Sequence, residues 1–317
     1  MKSLQCHSFD LVNGLQIVES ADPEPGPNEV IINVRAVNVA YVDRLIVTGK
    51  YQVVPKLPYT PGGMCAGDIT AVGVDVRDRA VGDRVVTRCA GAWATKVTVA
   101  AASTVPIPDR LSDVGAAAGL EAYGTAIYAL ENRITAEAGK RMLVLGAGGA
   151  VGAACVEIAA DLGLHVVAVT SQPEAITGAE LVIDRRTDDM RAVMKATYPD
   201  GVDYVIDPVG GDLAPLALRS LGFRGKYLVV GFASGMIPQL PANHTLLKER
   251  EIVGVDWGDY VRERPGAAEE SLSGVVARLG QRSVSVPSAN ELNFEQLKDA
   301  LQKPPPASGL VRTVLVP

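Results

Sequence analysis

One stretch of the sequence, "RMLVLGAGGAVGAACVEIA" at residues 141–159, constrains the fold more than any other. An apolar strand pattern ends at Gly146, and Gly149 and Gly152 follow at three-residue spacing into a helix pattern. Glycines spaced in this way permit a tight turn, a close approach of backbone to a pyrophosphate, and close packing of helix on strand. Because the triplet stands at a strand-to-helix junction, it predicts a dinucleotide-binding turn; the alternative is glycines that serve packing alone.

The chain around this turn alternates short apolar strands with helices. Further strand patterns follow in "LHVVAVT", "AELVID", "VDYVIDPVG", "KYLVVGF" and "EIVGVDW". Uniformly apolar strands separated by helices indicate a parallel sheet that is buried on both faces. We therefore predict an α/β fold with a doubly wound Rossmann sheet, the nucleotide-binding domain, at residues 118–261.

The rest of the chain has a different pattern. Residues 1–117 contain β-branched runs such as "EVIINVRAV" and "RVVTRCA", divided by turn signals such as "PEPGPN", and no helix pattern of comparable strength. Beyond Asp259 come two helix patterns and a last strand, "GLVRTVLVP", which we expect to return to the first domain. At 317 residues the chain exceeds a single core. Residues 1–117 and 262–317 are predicted to form a second, β-rich domain.

Composition narrows the possible partners. The chain carries 30 Lys and Arg against 36 Asp and Glu, a net charge of −6, and has no basic stripe, so nucleic acid is not expected as a partner. The N-terminal "MKSLQCHSFD" lacks the apolar stretch of a signal peptide, and no later segment is apolar over the length of a bilayer. We expect a soluble, cytoplasmic protein without a membrane partner.

Metal-binding patterns are absent from the sequence. The cysteines are spread without a C-x-x-C pair and are interpreted as reduced thiols: Cys6, Cys65, Cys89 and Cys155. The histidines are equally scattered: His7, His165 and His244. Met64 and Cys65 are adjacent in "YTPGGMCAGDITAVG", but successive strand residues point to opposite faces and do not readily chelate one ion. No metal site is predicted.

The second strand of the nucleotide domain indicates which dinucleotide is preferred. It ends in Thr170 and Ser171, where NAD-preferring sites carry an Asp or Glu for the ribose 2′-hydroxyl. A neutral tip tolerates a 2′-phosphate, and Arg185 or Arg186 could supply charge-assisted hydrogen bonds to it. The alternative is that both arginines are solvated surface residues. The sequence favours NADPH over NADH.

The crossover after this strand is unusually short. Only "SQPEAITGA" separates it from the next strand, which is close to the minimum for a parallel connection. Any helix there has a turn or two at most. We therefore expect an open adenine side and weakened cofactor binding.

Motifs along the whole chain resemble one protein family. They are "GKYQVVPKLPYTPGG", "AVGVDVRDRAVGDRV", "AYGTAIYAL", "GAGGAVG", "VDYVIDPVGGD", "GKYLVVGFASGMIPQLPANHTLLKEREIVGV" and the closing strand. Together they resemble the zinc-independent, zeta-crystallin-like quinone oxidoreductases of the medium-chain dehydrogenase/reductase superfamily. The resemblance implies a GroES-like barrel built from both chain ends, NADPH as cofactor, and a homodimer that pairs through the edge strand "EIVGVDW". It also implies hydride transfer to a quinone or conjugated enone, a small-molecule substrate.

The resemblance assigns roles to individual residues. Pyrophosphate binding falls to the turn and the first helical residues: Gly146, Gly149, Ala150, Val151 and Gly152. The 2′-phosphate contacts match Thr170, Ser171 and Arg185. Positions on the nicotinamide side match Thr125, Gly231, Phe232, Ala233 and Asn243, with Lys248 in the same "N-x-L-L-K" motif. Tyr51 lies where relatives place a tyrosine in the substrate cleft, and its phenol could donate to a developing oxyanion. The alternative for Tyr51 is a packed tyrosine with its hydroxyl in water.

Two departures from the family pattern stand out. Ala40 and Gly63 occupy the positions of catalytic zinc ligands in zinc-dependent relatives, and Ala40 also replaces the usual asparagine of "N-x-x-D" ahead of Asp43, with Asn38 at the same strand parity. Met64 replaces the glutamate of "P-G-x-E". Three functions stay open: a quinone or enone reductase, an enoyl-thioester reductase acting on acyl-CoA or a carrier-bound chain, and a nucleotide-binding protein with reduced or lost redox activity.

Overall fold

The structure is a computed structural model that describes residues 1–11, 13–303 and 308–317. The chain divides into two compact units. The first comprises Met1–Glu121, Arg264–Ala307 and Val311–Pro317, and the second comprises Ala122–Glu263 and Ser308–Leu310. Among the described residues, no helix combines the length and the apolar character needed to cross a lipid bilayer.

The strands of the described residues are β1 Lys2–Cys6, β2 Leu15–Glu19, β3 Glu29–Val39, β4 Met64–Val72, β5 Arg84–Arg88, β6 Lys96–Ala100, β7 Thr104–Pro106, β8 Arg141–Leu145, β9 His165–Thr170, β10 Leu181–Asp184, β11 Val202–Asp207, β12 Leu221–Val229, β13 Glu251–Gly254, β14 Ser288–Leu292 and β15 Val311–Leu315. The α-helices are α1 Tyr41–Val47, α2 Asp113–Ile127, α3 Ala150–Asp161, α4 Met190–Thr197, α5 Ala214–Arg219, α6 Asn243–Leu246, α7 Trp257–Glu263, α8 Ala267–Gln281 and α9 Phe294–Gln302.

The second unit contains a six-stranded parallel sheet in the order β10-β9-β8-β11-β12-β13. Numbered from β8 as the first strand, this order is 3-2-1-4-5-6, the order of dinucleotide-binding Rossmann domains. The predicted Rossmann sheet is therefore confirmed, and the strand from "EIVGVDW" lies at its edge, as predicted. Its central strands β8 and β11 are buried at all but one position each, as is expected for a parallel sheet that is covered on both faces.

The crossover between β9 and β10 is as short as the sequence indicates. It contains a single 3₁₀ turn, Pro173–Ala175, in place of a helix. His165 begins β9 and is exposed, with its Nδ1 atom 2.5 Å from Glu180 Oε1.

The first unit is built on a larger, mostly antiparallel sheet in the order β14-β15-β3-β4-β5-β7, with β6 also pairing with β3. The register of β3 against β4 shifts twice, between Ile31 and Ile32 and between Val34 and Ala36. Such irregularities bend a strand and increase its twist, which lets β3 pair with several neighbours. The closing strand β15 pairs with β3 in this unit, with Thr313 opposite Val39, so its predicted return to the first domain is confirmed.

The sequence pattern missed a helix in the first unit. Helix α1 follows β3 directly, although residues 1–117 show no strong helix period. The helix is short and buries only Asp43 and Val47, so it leaves little periodic signal. Its start is stabilised by the Asp43 carboxylate, which accepts a hydrogen bond from the backbone N–H of Ala40 at 2.8 Å.

Candidate functional site

The glycine turn of the second unit lies where the order of the parallel sheet reverses. Strands β8 and β11 are neighbours, while β9 follows β8 on the opposite side. Ligands of open α/β sheets bind at such a point, beyond the carboxyl ends of the strands. Gly146 directly follows β8 with φ +62°, and a Cβ at Gly146 would lie 2.4 Å from Cγ2 of Val209, in the turn after β11. The two loops are thus in close contact, which requires glycine at position 146.

Gly149 and Gly152 shape the start of α3. Gly149 is the residue before the helix and donates its N–H to the Gly146 carbonyl at 2.8 Å. A Cβ on Gly152 would lie 2.2 Å from that same carbonyl oxygen, so only glycine lets α3 approach the turn this closely. Ala150 and Val151 form the first turn of the helix. The N-terminus of a twelve-residue helix therefore stands at the turn, with backbone N–H groups and no side chain at Gly149 to cap them.

Sequence reasoning missed a second segment at this turn. Gly309 donates its N–H to the carbonyl of Gly148 at 2.9 Å, and Ser308 Oγ donates to the same oxygen at 3.4 Å. A Cβ on Gly309 would lie 2.2 Å from the backbone nitrogen of Ala150. The glycine at position 309 is the one signal in the sequence, because only a residue without a side chain fits against the helix start.

The tip of β9 carries the residues predicted to recognise a 2′-phosphate. Thr170 is buried, and its Oγ1 accepts a hydrogen bond from the N–H of Gln172 at 3.0 Å. Ser171 follows it and is half-buried. Arg185 donates its backbone N–H to the carbonyl of Thr170 at 2.9 Å and has an exposed side chain. The structure therefore brings these three residues together at one edge of the sheet.

Arg186 is placed differently from Arg185. Its guanidinium is paired with the Asp184 carboxylate, with Nη2 to Oδ2 at 2.7 Å and Nε to Oδ1 at 3.0 Å. Hydrogen bonds from Arg186 lower the pKa of the Asp184 carboxyl. Because Arg186 already neutralises a neighbouring carboxylate, Arg185 is the better placed of the two to meet an anion.

A buried carboxylate holds the loop after β11. Asp207 Oδ1 accepts hydrogen bonds from the N–H groups of Val209 and Gly210, each at 2.8 Å, and Oδ2 accepts from the Tyr227 hydroxyl. Burial, together with the Asp207 charge, raises the pKa of Tyr227 far above its usual range, so Tyr227 is a donor. The sequence analysis assigned no role to either residue, although both lie within motifs that carry the family resemblance.

The predicted nicotinamide loop packs on this fixed turn. The N–H of Gly231 donates to the carbonyl of Asp207 at 3.3 Å, and that of Ala233 to the carbonyl of Pro208 at 3.2 Å. Phe232 lies beside Gly210, where its Cδ1 would be 3.1 Å from an added Cβ. The loops that follow β11 and β12 therefore form one hydrogen-bonded surface at the carboxyl edge of the sheet.

Three further predicted residues lie elsewhere in the second unit. Thr125 is buried in α2, two residues after Tyr123, whose hydroxyl donates to Glu157 of α3 at 2.9 Å. Asn243 begins the short helix α6 and is exposed. Lys248 is exposed, has φ +71°, and accepts the N–H of Arg224 through its carbonyl at 2.8 Å. Their predicted cofactor contacts stay predictions.

The first unit places charged groups near the end of β3. Asp43 is only 7% exposed, and burial, with a further contribution from the Glu121 charge, raises its pKa to about 7. Glu121 is partly exposed, and desolvation by the surrounding protein raises its pKa. The positive charge of Arg312 acts in the opposite direction and lowers it. Arg312 is buried on β15. Asp43, Glu121 and Arg312 thus interact electrostatically inside this unit, and sequence reasoning assigned no role to the last two.

The positions that depart from the family pattern are also in the first unit. Ala40 is the extended residue between β3 and α1, and Asn38 is buried on β3. Met64 begins β4, opposite Arg88, and is 9% exposed. Tyr51 is half-buried in the bend after α1. Met64 therefore places an apolar side chain in a packed site.

The cysteine side chains, all of which lie in the described part of the chain, form no disulfide bond. All four cysteines are free thiols. Although distant in sequence, Cys65 and Cys89 have their sulfur atoms 3.8 Å apart. Within residues 1–11, 13–303 and 308–317, no three or more His, Cys, Asp or Glu side chains gather in a way that could hold a metal ion.

Comparisons with known proteins match both units. Residues 26–109 match the alcohol dehydrogenase GroES-like domain, and residues 150–273 match the family described as zinc-binding dehydrogenase. The chain is 33% identical to quinone oxidoreductase-like protein 2 of Bos taurus, over 90% of this chain and 84% of the relative.

Solved structures agree with these matches. A probable oxidoreductase from Mycobacterium abscessus superposes with a TM-score of 0.85 at 30% identity, covering 100% of this chain and 99% of that one. A mycobacterial protein solved in complex with NADPH superposes with a TM-score of 0.86 at 25% identity, covering 100% of both chains. The predicted combination of GroES-like and Rossmann domains is confirmed, and the chain belongs to the quinone oxidoreductase family of the medium-chain dehydrogenase/reductase superfamily.

Proposed function

We propose that the protein is an NADPH-dependent, zinc-independent reductase that transfers a hydride to a quinone or a conjugated enone. The observation that carries the proposal is the glycine turn at the start of α3, joined at the same sheet edge by a neutral β9 tip and Arg185. Membership of a family of quinone oxidoreductases supports the reaction class.

The cofactor is NADPH, and the residues present fit it. Gly146, Gly149 and Gly152 leave the space that side chains would fill, and the helix N-terminus supplies N–H groups for a pyrophosphate. We assign binding of the 2′-phosphate to Thr170, Ser171 and Arg185, which lie close together at the tip of β9. The nicotinamide side is assigned to Thr125, Gly231, Phe232, Ala233 and Asn243, with Ala150 and Val151 completing the helix start. When bound, NADPH supplies a hydride to a carbon that conjugation has made electrophilic.

The protein must then orient the substrate and supply a proton. A quinone or enone needs no metal to become electrophilic at its conjugated carbon, which agrees with Ala40 and Gly63 at the positions of zinc ligands in relatives. Tyr51 is our candidate proton donor, since its half-buried phenol carries an exchangeable proton. Hydride and proton together give the hydroquinone or the saturated ketone.

Met64 gives the second candidate function its support. A buried methionine where relatives carry a glutamate makes the position apolar, which suits an acyl thioester. The same replacement is expected in a nucleotide-binding protein that has lost redox activity. The three functions differ in what NADPH does when substrates are added.

The test is NADPH oxidation followed by absorbance, with a short quinone, an enone and a crotonyl thioester compared side by side in the presence of a metal chelator. We expect the quinone or the enone to be turned over, at a rate that is the same with and without the chelator. Faster turnover of the thioester would favour the enoyl reductase. Fluorescence-detected NADPH binding without turnover on any substrate would refute the reductase and favour the nucleotide-binding protein.

Substitution of Met64 tests whether its divergence matters for the reaction. If the position controls polarity at the substrate, Met64→Glu raises quinone reduction, while the control Met64→Leu, which keeps volume and apolar character, does not. Equal rates in both variants would assign Met64 to packing alone.

The family also implies a homodimer, which we propose forms through β13. This strand is the edge of the Rossmann sheet, and its Ile252 is 44% exposed. An exposed apolar edge strand is a template for pairing with another chain.

A further inference from the structure

Two thiols of the first unit lie within reach of each other and are separate from every residue assigned to the cofactor. Cys65 Sγ and Cys89 Sγ are 3.8 Å apart. Cys65 is on β4, where it pairs with Thr87 of β5, and Cys89 is two residues beyond Thr87. The two cysteines are therefore diagonal neighbours whose side chains share one face of the sheet. A disulfide has a sulfur–sulfur distance of about 2 Å, so closure requires the sulfurs to approach by less than about 2 Å.

The two cysteines of the pair differ in burial. Cys65 is fully buried, whereas Cys89 is partly exposed just after the end of β5. Both contact the same apolar cluster, and the N–H of Cys89 donates to the carbonyl of Gly63 at 2.9 Å. This hydrogen bond holds Cys89 beside β4. Cys89 is thus the cysteine that a small oxidant reaches first from solvent, and Cys65 is the buried partner that can then form the disulfide with it.

The other two cysteines lack this arrangement. Cys6 and Cys155 are each fully buried. Cys6 donates its thiol to the Ser8 carbonyl at 3.3 Å, and Cys155 lies in α3 of the second unit. They serve as internal controls, because burial alone protects them.

We propose that Cys65 and Cys89 are an oxidisable thiol pair that closes to an intrachain disulfide when the protein meets hydrogen peroxide. The Cys89 thiol loses its proton and its sulfur attacks one peroxide oxygen, which gives a sulfenic acid, while the displaced hydroxide takes up that proton and leaves as one water. The Cys65 sulfur then attacks the sulfenic sulfur and displaces a second water as its own proton leaves. Two thiols are oxidised and one peroxide is reduced to two waters.

Disulfide formation would constrain the start of β4, where Gly63 and Met64 depart from the residues of relatives. Gly63, Met64 and Cys65 are consecutive, and the Gly63 carbonyl already accepts from Cys89. A disulfide would fix this segment to the chain beyond β5. The modification site is defined by thiol geometry and is independent of the reaction proposed above.

The experiment is peptide mass spectrometry of the folded full-length protein after treatment with hydrogen peroxide. Trypsin cleavage separates the two cysteines into residues 57–77 and 89–96, so the disulfide appears as one linked species under non-reducing conditions and as two peptides after reduction. We expect this species as the main oxidised product, with Cys6 and Cys155 still open to alkylation after denaturation.

Two variants make the assignment specific. Cys89→Ser, a change at the partly exposed position, should abolish the linked species and leave Cys65 reduced. Cys155→Ala, the matched removal of a buried thiol, should not alter linkage. The proposal is overturned if Cys89 is oxidised to sulfinic or sulfonic acid while Cys65 stays reduced, if Cys89 links two chains, or if neither thiol reacts at peroxide concentrations that oxidise free cysteine.

Discussion

Asp43 offers the sharpest test of the electrostatics, through the substitution Asp43→Asn. The carboxylate is 7% exposed, and burial first, then the Glu121 charge, raises its pKa from 3.8 to about 7. Asparagine keeps an oxygen that can accept the N–H of Ala40, the bond that Asp43 makes at 2.8 Å. The substitution therefore removes the charge while keeping the helix start, and its effect on stability should depend on pH.

The sign and size follow from proton linkage. Between the unfolded pKa of 3.8 and the folded value of about 7, the native state holds a proton that the unfolded chain has released, so stability falls as pH rises through this window. A difference of about 3 pKa units, at about 1.4 kcal/mol per unit, amounts to about 4 kcal/mol above pH 7. About half of this difference develops between about pH 5.5 and about pH 8.5. Asp43→Asn should therefore gain about 2 kcal/mol relative to wild type over that range.

The measurement is urea unfolding of the first unit at those two pH values. The chain has two tryptophans, Trp93 in the core of the first unit and Trp257 in the second. A Trp257→Phe background lets the fluorescence of Trp93 report the first unit alone. The matched control is Asp83→Asn, because Asp83 makes the same local bond, to the N–H of Ala80 at 2.8 Å, at a more exposed site.

Asp83→Asn should change stability similarly at both pH values. A pH-dependent gain below about 0.5 kcal/mol for Asp43→Asn, or an equal gain for the control, would refute the reasoning, because a buried carboxylate must carry its desolvation cost into the pH dependence.

Three further predictions concern the second unit. Arg185→Ala should reduce the preference for NADPH over NADH at least about tenfold in a fluorescence titration, since one charge-assisted phosphate contact contributes about 1.5–3 kcal/mol. The control Arg186→Ala should leave the preference within about twofold of wild type. An equal loss of preference in both variants would disprove the assignment. Gly152→Ala should weaken NADPH binding at least about tenfold, because its Cβ would lie 2.2 Å from the Gly146 carbonyl, whereas Gly254→Ala, with open space around it, should bind normally. If the proposed dimer forms through β13, Ile252→Lys should give a monomer in light scattering, and a monodisperse wild-type monomer would exclude this pairing.

The sequence predicted the nucleotide-binding half of the protein because its signals are local. The strand, turn and helix around Gly146 are consecutive, and Gly152 must be glycine because of the nearby Gly146 carbonyl, whereas Gly146 itself is crowded by the distant Val209. The alternation of apolar strands and helices predicted the parallel sheet, and the short segment after Thr170 predicted a crossover helix of a turn or two at most, where the structure has one 3₁₀ turn. Hydrophobic periodicity carries this information without any knowledge of distant contacts.

Short and irregular elements escaped the same reasoning. Helix α1 buries two residues, and β14 has mostly polar or exposed positions, so neither leaves a periodic pattern. Strand β14 exists because β15 supplies its backbone partners, with Ser288 opposite Val311. Tertiary pairing overrides local propensity in such segments.

The site residues likewise divide into those with a local sequence signal and those that only tertiary packing brings together. The sequence by itself determined the dinucleotide turn, the neutral β9 tip and the family, because these depend on residue types at fixed spacing. Only the tertiary structure decided which arginine is available, since Arg186 is paired with Asp184, and that Gly309 lies against the start of α3. It also decided that Asp43 is buried near Glu121 and that Cys65 lies beside Cys89. Burial, pKa and the proximity of distant residues are properties of chain packing, and no local spacing encodes them.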